Sequence, residues 1–255
     1  MICALMLDLD DAVDFPGNTA TALGRPLAAY PLMAARATGG MIPRYYVVTG
    51  SQPVKAVALQ NQAIIIDPVE AKPDAKDAPD AEAQLRKGFQ FILDDLKADQ
   101  QTLELLVVFF SNAPAVTGGL LQAGLDALLA GPELDSAVSV SPFNRWNPFF
   151  AERENAQGLL EPFVTGGADK RGDVWFPDWG VQVLRPRLLE GACAGRPPFP
   201  WLGSKVLPLK QWGGGPIDYQ WQVPSVEYWL KKHGYSDLSA SRELQPQPKL
   251  QPKKK

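Results

Sequence analysis

The stretch Ile2-Cys3-Ala4-Leu5-Met6-Leu7-Asp8-Leu9-Asp10-Asp11-Ala12-Val13-Asp14-Phe15-Pro16-Gly17-Asn18-Thr19, continued by Leu23-Gly24-Arg25-Pro26-Leu27, decides how the rest of the chain is read. Six apolar residues make a buried-strand pattern, four aspartates follow in a loop, and a turn leads into a helix with proline near its first turn. In an α/β chain the first strand, its loop and the next helix build the ligand edge, because ligands sit beyond the carboxyl ends of the strands.

The pattern then alternates. A helix is predicted over Pro26 to Ala37, closed by Gly39-Gly40, a strand over Tyr45 to Thr49, a helix over Val54 to Gln60 and a strand over Ala63 to Ile66. The run from Asp67 to Asp80, rich in Pro, Asp, Ala and Lys, reads as a loop. Leu85, Phe89, Ile92, Leu93 and Leu96 recur at helical spacing within Ala81 to Leu96, and Leu103 to Phe110 is the most hydrophobic strand. A helix over Gly119 to Leu129 and a strand over Ser136 to Ser141 follow. Strands alternating with helices predict a wound α/β sheet.

Between Phe143 and Phe163 aromatic residues are interleaved with prolines, which suits an irregular lobe or a partner surface better than a central strand. Strand character returns at Val181 to Leu184, a short helix is expected over Arg185 to Leu189, and the last ordered helix over Val223 to His233. The expected organisation is one domain over residues 1–240, with 143–180 as an inserted dimerisation or substrate lobe and 241–255 as a disordered tail.

Composition narrows the class. A chain of 255 residues, 45% hydrophobic and of net charge -3, can bury one sizeable core. Slight acidity argues against a nucleic-acid surface, the only basic cluster being Lys253-Lys254-Lys255. Two cysteines, Cys3 and Cys193, offer neither a disulfide framework nor a zinc spacing, so a reducing cytoplasm is the expected compartment. No apolar run approaches the roughly 18 residues that span a bilayer, and Met1 is not followed by a basic n-region, so neither membrane insertion nor secretion is expected.

With the elements in order, a resemblance emerges. Phe15-Pro16-Gly17-Asn18-Thr19 and Gly24-Arg25-Pro26-Leu27-Ala28-Ala29-Tyr30 resemble the opening of the CMP-N-acylneuraminate synthetases and related sugar-acid cytidylyltransferases, in which an ARxGS-type loop and a Lys-Asn pair precede a GKPLI-Y run. Tyr46-Val47-Val48-Thr49-Gly50-Ser51 is similar to the VSTDS segment of that family, Asp135 to Val140 to its DSVVSV strand, and Pro216-Ile217-Asp218 to its metal-binding IDxD segment. The resemblance extends from about Ile2 to Gly234. It implies a Rossmann-like wound mixed sheet of the nucleotide-diphospho-sugar transferase type with a small dimerisation lobe.

The same resemblance implies a chemistry. Such enzymes let an acid's hydroxyl attack the α-phosphate of CTP, leaving a CMP-activated acid and pyrophosphate, with cations, Mg²⁺ and backbone N–H groups neutralising the triphosphate. The implied partners are CTP and a small acidic sugar or phosphonate, and the implied assembly is a homodimer through Phe143 to Phe163. Asp218 is the implied catalytic and metal position. Asn18, Ser111 and Asn112 are the nucleotide-binding candidates, and Asp8, Asp10 and Asp11 join Asp218 as candidate Mg²⁺ ligands.

The loop departs from the family's pattern. Anchored on Phe15-Pro16-Gly17, the loop arginine falls on Leu9, the serine on Ala12 and the lysine on Val13, while Asp8, Asp10, Asp11 and Asp14 make the loop acidic. Gly50 replaces the VSTDS aspartate, and Asp67 stands where an arginine is usual. Unit charges about 4 Å apart interact by about 4 kcal/mol at a surface-like dielectric, so this reversal matters. The aspartates either gather Mg²⁺ as hard oxygen ligands or form a solvated loop. Two other functions stay open: an inactive cytidylyltransferase-like scaffold, and a phosphatase of the haloacid dehalogenase type, which Asp8-Leu9-Asp10 and Val47 to Ser51 resemble and in which Asp8 would accept the phosphoryl group. Arg25 and the single His233 read as structural, and Trp212 to Gly215 as a lid or a plain loop.

Overall fold

A computed structural model describes residues 1–9, 20–69, 81–143, 147–164, 173–193, 195 and 198–238. Asn18, Asp10, Asp11 and Asp14, the 70–80 part of the predicted loop and the predicted 241–255 tail lie outside the described residues.

The first strand, β1 (Ile2–Leu7), has the bounds predicted from its apolar run, and every residue in it is buried. A strand alternates its side chains, so a continuous apolar run implies cover on both faces. Ile2, Ala4 and Met6 enter one core, and Cys3, Leu5 and Leu7 the other. Two short strands, β2 (Thr21–Ala22) and β3 (Arg25–Pro26), pair as a small hairpin, so α1 begins after it (Ala29–Arg36) rather than at Pro26. Next come β4 (Arg44–Val48), α2 (Gln52–Gln60), β5 (Ile64–Ile66), α3 (Ala81–Ala98), β6 (Leu105–Phe110), α4 (Gly118–Ala130) and β7 (Ser136–Pro142), all within a few residues of expectation.

The expected lobe contains a two-stranded hairpin, β8 (Glu152–Glu154) and β9 (Leu160–Pro162), which forms its own small sheet. The next strand, β10 (Trp175–Leu184), starts six residues before the predicted Val181 and runs inside the main sheet. An unanticipated strand, β11 (Val206–Lys210), and the last helix, α5 (Val223–Lys232), complete the chain.

The main sheet has seven strands in the order β11-β7-β10-β6-β1-β4-β5. β10 is antiparallel to both its neighbours, whereas the other pairings are parallel. α1, α2 and α4 cover one face, where Leu32, Val54, Val57, Leu121 and Leu125 meet the sheet. α3 covers the other through Leu85, Phe89, Ile92 and Leu96. A Cβ on Gly88 would fall 2.6 Å from Leu5 Cδ2, so the absent side chain lets α3 lie close to β1. Arg44 and the Tyr46 hydroxyl both reach Asp95, at 2.8 Å and 2.6 Å, which fixes the far end of α3 on β4.

A third core joins the β2–β3 hairpin to α5 through Leu23, Leu27, Tyr30, Val226, Trp229 and Leu230. The chain's last described helix is thereby packed beside the β2–β3 hairpin near its beginning. Among the described residues, no helix is long and apolar enough to cross a membrane.

Candidate functional site at the strand ends

The parallel registers of β1 place Leu7 opposite Val48 of β4 and Phe110 of β6. Their successors, Asp8, Thr49 and Ser111, therefore emerge side by side. The backbone continues the ladder for one more step, with Asp8 N donating to Val48 O at 3.1 Å and Ser111 N to Leu7 O at 2.9 Å. Thr49 Oγ1 then donates to Asp8 Oδ2 at 2.6 Å, and Ser111 Oγ to Asp8 Oδ1 at 2.7 Å. One carboxylate, receiving a hydroxyl on each oxygen, thus ties three strand ends together. Ser51 N donates back to Thr49 Oγ1 at 3.0 Å, which carries the network to the start of α2.

The neighbouring residue brings in the far end of the chain. Asn112 O accepts from Ile217 N at 2.8 Å, so the loop after β11 is anchored to the end of β6. The next turn is held by Gln222, whose Oε1 accepts from the backbone N–H groups of Asp218 at 2.7 Å and Tyr219 at 2.8 Å. Asp8 and Ser111 are in direct contact, and the bond from Ile217 N to Asn112 O brings the residue before Asp218 to the same edge. Among the described residues no group of three or more His, Cys, Asp or Glu is arranged to hold a metal ion.

Sequence reasoning missed a second carboxylate, Asp178, which is 2% exposed. It sits where the β10 register shifts against β7, between Pro177 and Gln182. Ser139 Oγ and Gly180 N donate to one of its oxygens; Ser141 Oγ and Gln211 Nε2, both at 2.7 Å, donate to the other. A buried carboxylate is costly without such donors. Trp179 adopts φ 63, a left-handed conformation rare for a non-glycine residue, as the strand passes through the shift. The signal that could have flagged this site is Pro177-Asp178-Trp179-Gly180, a breaker-rich insertion ahead of a clean apolar strand.

Asp178 and Asp218 both line a cavity of about 470 Å³ between the first half of β10, the Gly213-Gly214-Gly215 loop and the first turn of α5. Its walls include Phe143, Phe176, Pro216 and Trp221. The Trp212 to Gly215 segment is packed rather than open: Trp229 Nε1 donates to Trp212 O at 2.8 Å, and Gly214 N to Ser141 Oγ at 3.0 Å. Arg25 donates to Ser236 O at 2.7 Å and His233 stacks on Trp229 at 3.7 Å, so both serve packing, as expected.

No family model and no curated protein matches the chain. Solved structures do. A CMP:2-keto-3-deoxy-manno-octonic acid synthetase complexed with CTP is similar at TM-score 0.59 and 10% identity, over 91% of this chain and 99% of that one. A 4-diphosphocytidyl-2C-methyl-D-erythritol synthase from Anaerococcus prevotii is similar at TM-score 0.57 and 11% identity, over 90% of this chain and 98% of that one. The shared architecture is the nucleotide-diphospho-sugar transferase fold.

Proposed function

We propose that the chain is a CTP-dependent nucleotidyltransferase that moves CMP from CTP onto a small acidic acceptor, a sugar acid or a phosphonate, with release of pyrophosphate. The carrying observation is the convergence of Asp8, Ser111, Asn112 and Asp218 at one edge of the sheet. That edge is where α/β sheets bind ligands, and both similar structures are, by name, enzymes of cytidylyl compounds. Ser111 and Asn112 are the proposed nucleotide contacts on the described chain. Asn18 is the further candidate of the sequence reading.

Mg²⁺ suits this edge. Hard carboxylate oxygens are its ligands, and one or two carboxylates beside water and substrate phosphates suffice for it. Asp8 and Asp218 are the described residues that would hold it, with Asp10 and Asp11 as further candidates. Bound there, the ion would offset triphosphate charge, a role that the acidic loop makes more necessary.

Calorimetry with CTP, with and without Mg²⁺, tests the reading, followed by a pyrophosphate-release assay with sugar acids and phosphonates. Mg²⁺-dependent CTP binding and acceptor-dependent pyrophosphate release are the expected results. Absence of binding by any nucleotide would leave the scaffold alternative. Release of phosphate from a phosphomonoester, lost in Asp8→Asn, would favour the phosphatase. We also assign the exposed apolar side chains Phe150, Leu159, Leu160 and Phe163 to a homodimer interface.

A further inference from the structure

We infer that Asp178 is a positioning residue for nucleotidyl transfer: its buried carboxylate fixes the loop that carries Asp218 to the strand ends. Asp178 is 2% exposed, and the hydrogen bonds it accepts gather β7, β10 and the end of β11. Ser139 Oγ and Ser141 Oγ donate from β7, Gly180 N from β10 itself, and Gln211 Nε2 from the residue that follows β11. The same groups reach on into the loop. Gln211 Nε2 also donates to Ala115 O at 3.1 Å, and Ser141 Oγ accepts from Gly214 N at 3.0 Å. Shortly afterwards Ile217 N donates to Asn112 O at 2.8 Å, and Asp218 follows. Asp178 thus clamps β7, β10 and β11 as Asp8 clamps β1, β4 and β6. Segment 211–217 runs from the first clamp to a strand end beside the second.

The donors require a carboxylate. Each of its oxygens faces one hydroxyl, which can rotate, and one N–H, which cannot: Gly180 N on Oδ1 and Gln211 Nε2 on Oδ2. Only a group that accepts on both oxygens satisfies all four. In Asp178→Asn the amide sets its NH2 against one of those N–H groups, whichever way it turns. Turning the Gln211 amide instead would set its oxygen against Ala115 O. A buried donor left unmade is costly, so the loop shifts where it is held. Stability alone does not call for this arrangement, because well-packed apolar residues often stabilise an interior as much as a charged network does. What the carboxylate adds is placement, since it fixes the loop at Gln211 directly and at Gly214 through Ser141. Groups that hold a metal or substrate work only when their supporting contacts are fixed in this way.

That this placement serves transfer rests on the nucleotidyl-transfer reading; the hold on the loop does not, and amide hydrogen exchange of the full chain reads it. Rates are taken relative to Ser111 N, which bonds Leu7 O at the other clamp, so that a change in global stability cancels. Ile217 is the decisive amide, because its acceptor is untouched by the substitutions. In Asp178→Asn its relative rate is expected to rise tenfold or more. Ser141→Ala, which keeps the carboxylate but cuts its link to Gly214, should raise it in the same direction, and carries the test if Asp178→Asn does not fold. Asp135→Asn, at the opposite ends of β7 and β11, is the control and should leave the ratio unchanged. In calorimetry the Mg²⁺ concentration that supports half-maximal CTP binding should rise tenfold or more in Asp178→Asn and stay at the wild-type value in Asp135→Asn. An unchanged Ile217 ratio, or an unchanged Mg²⁺ requirement, would overturn the inference. A wild-type chain that binds no CTP, with the loop loosened in the variant, sinks the transferase reading and leaves the clamp; Mg²⁺-dependent CTP binding that the variant keeps intact sinks only the positioning role.

Discussion

The carboxylate of Asp178 occupies the space that a Cβ on Gly214 would need. The contact is between a strand shift in β10 and the loop after β11, and Ser141 completes it by donating to Asp178 and accepting from Gly214 N at 3.0 Å. The glycine run is therefore one wall of the cavity, seated on a buried charged group.

A methyl group at Gly214 must displace that carboxylate or the loop. Gly214→Ala is expected to destabilise the protein by about 2 kcal/mol, as overpacking does. Gly215→Ala, with open space at the same atom, should stay within about 0.5 kcal/mol of wild type. Urea unfolding of the two variants measures the difference.

Asp8 bonds two hydroxyls at once, so its removal strands both. Asp8→Ala should cost about 2–3 kcal/mol, the range for losing bonds to a charged group and leaving donors unmade. In that background Ser111→Ala should cost less than in wild type, because its acceptor is already gone. A double-mutant cycle by chemical denaturation reads the coupling, and strict additivity would refute the bridge.

Asp135 predicts an acid limb of stability. Burial pushes its carboxyl up, but the N–H groups of Lys205 and Ser204 and the Arg187 guanidinium outweigh this and hold it well below the usual carboxylate range. A depressed native value means that the contribution is complete above the unfolded value of about 3.9 and is lost as pH falls below it. Asp135→Asn should therefore cost about 1–2 kcal/mol at pH 7, with the gap to wild type closing on acidification below about pH 4. Thermal melts from pH 7 to pH 2 follow it.

For the assigned dimer face, Leu160→Glu together with Phe163→Glu should turn a dimer into a monomer in sedimentation equilibrium at micromolar concentration. Both side chains are exposed, so the secondary structure should be unchanged. A wild-type chain that sediments as a monomer would remove the assignment.

Most of the sheet was legible because its strands are buried on both faces. Leu105 to Phe110 and Ile2 to Leu7 need only be recognised as apolar runs, and α3 as a helical stripe. β11 was missed because Pro208 interrupts Val206 to Lys210. Proline is tolerated there because this is the edge strand, where one side of the backbone has no ladder partner. The first half of β10 was missed for a different reason. Its alternation is broken by the register shift that buries Asp178, and a lone Asp between Pro and Trp gives no hint of the four donors that converge on it. Asp8, by contrast, could be placed from sequence, since the end of a buried first strand is a position that topology fixes. The hydroxyls that hold it could not, because they come from two other strands.

Among the described residues, β10 is the strand that joins β7 and β11 to the rest of the main sheet. While the chain is being synthesised, β1, β4, β5 and β6 can pair as soon as Phe110 has emerged. β7, complete at Pro142, must wait for later strands, and the end of β10 at Leu184 lies 42 residues further on, about 2–8 s at about 5–20 residues per second. During that interval β6 presents an open edge and the apolar side chains of β7 lack their cover. Slowed translation or premature termination between residues 142 and 175 is thus the event most apt to send this chain toward chaperones or aggregation.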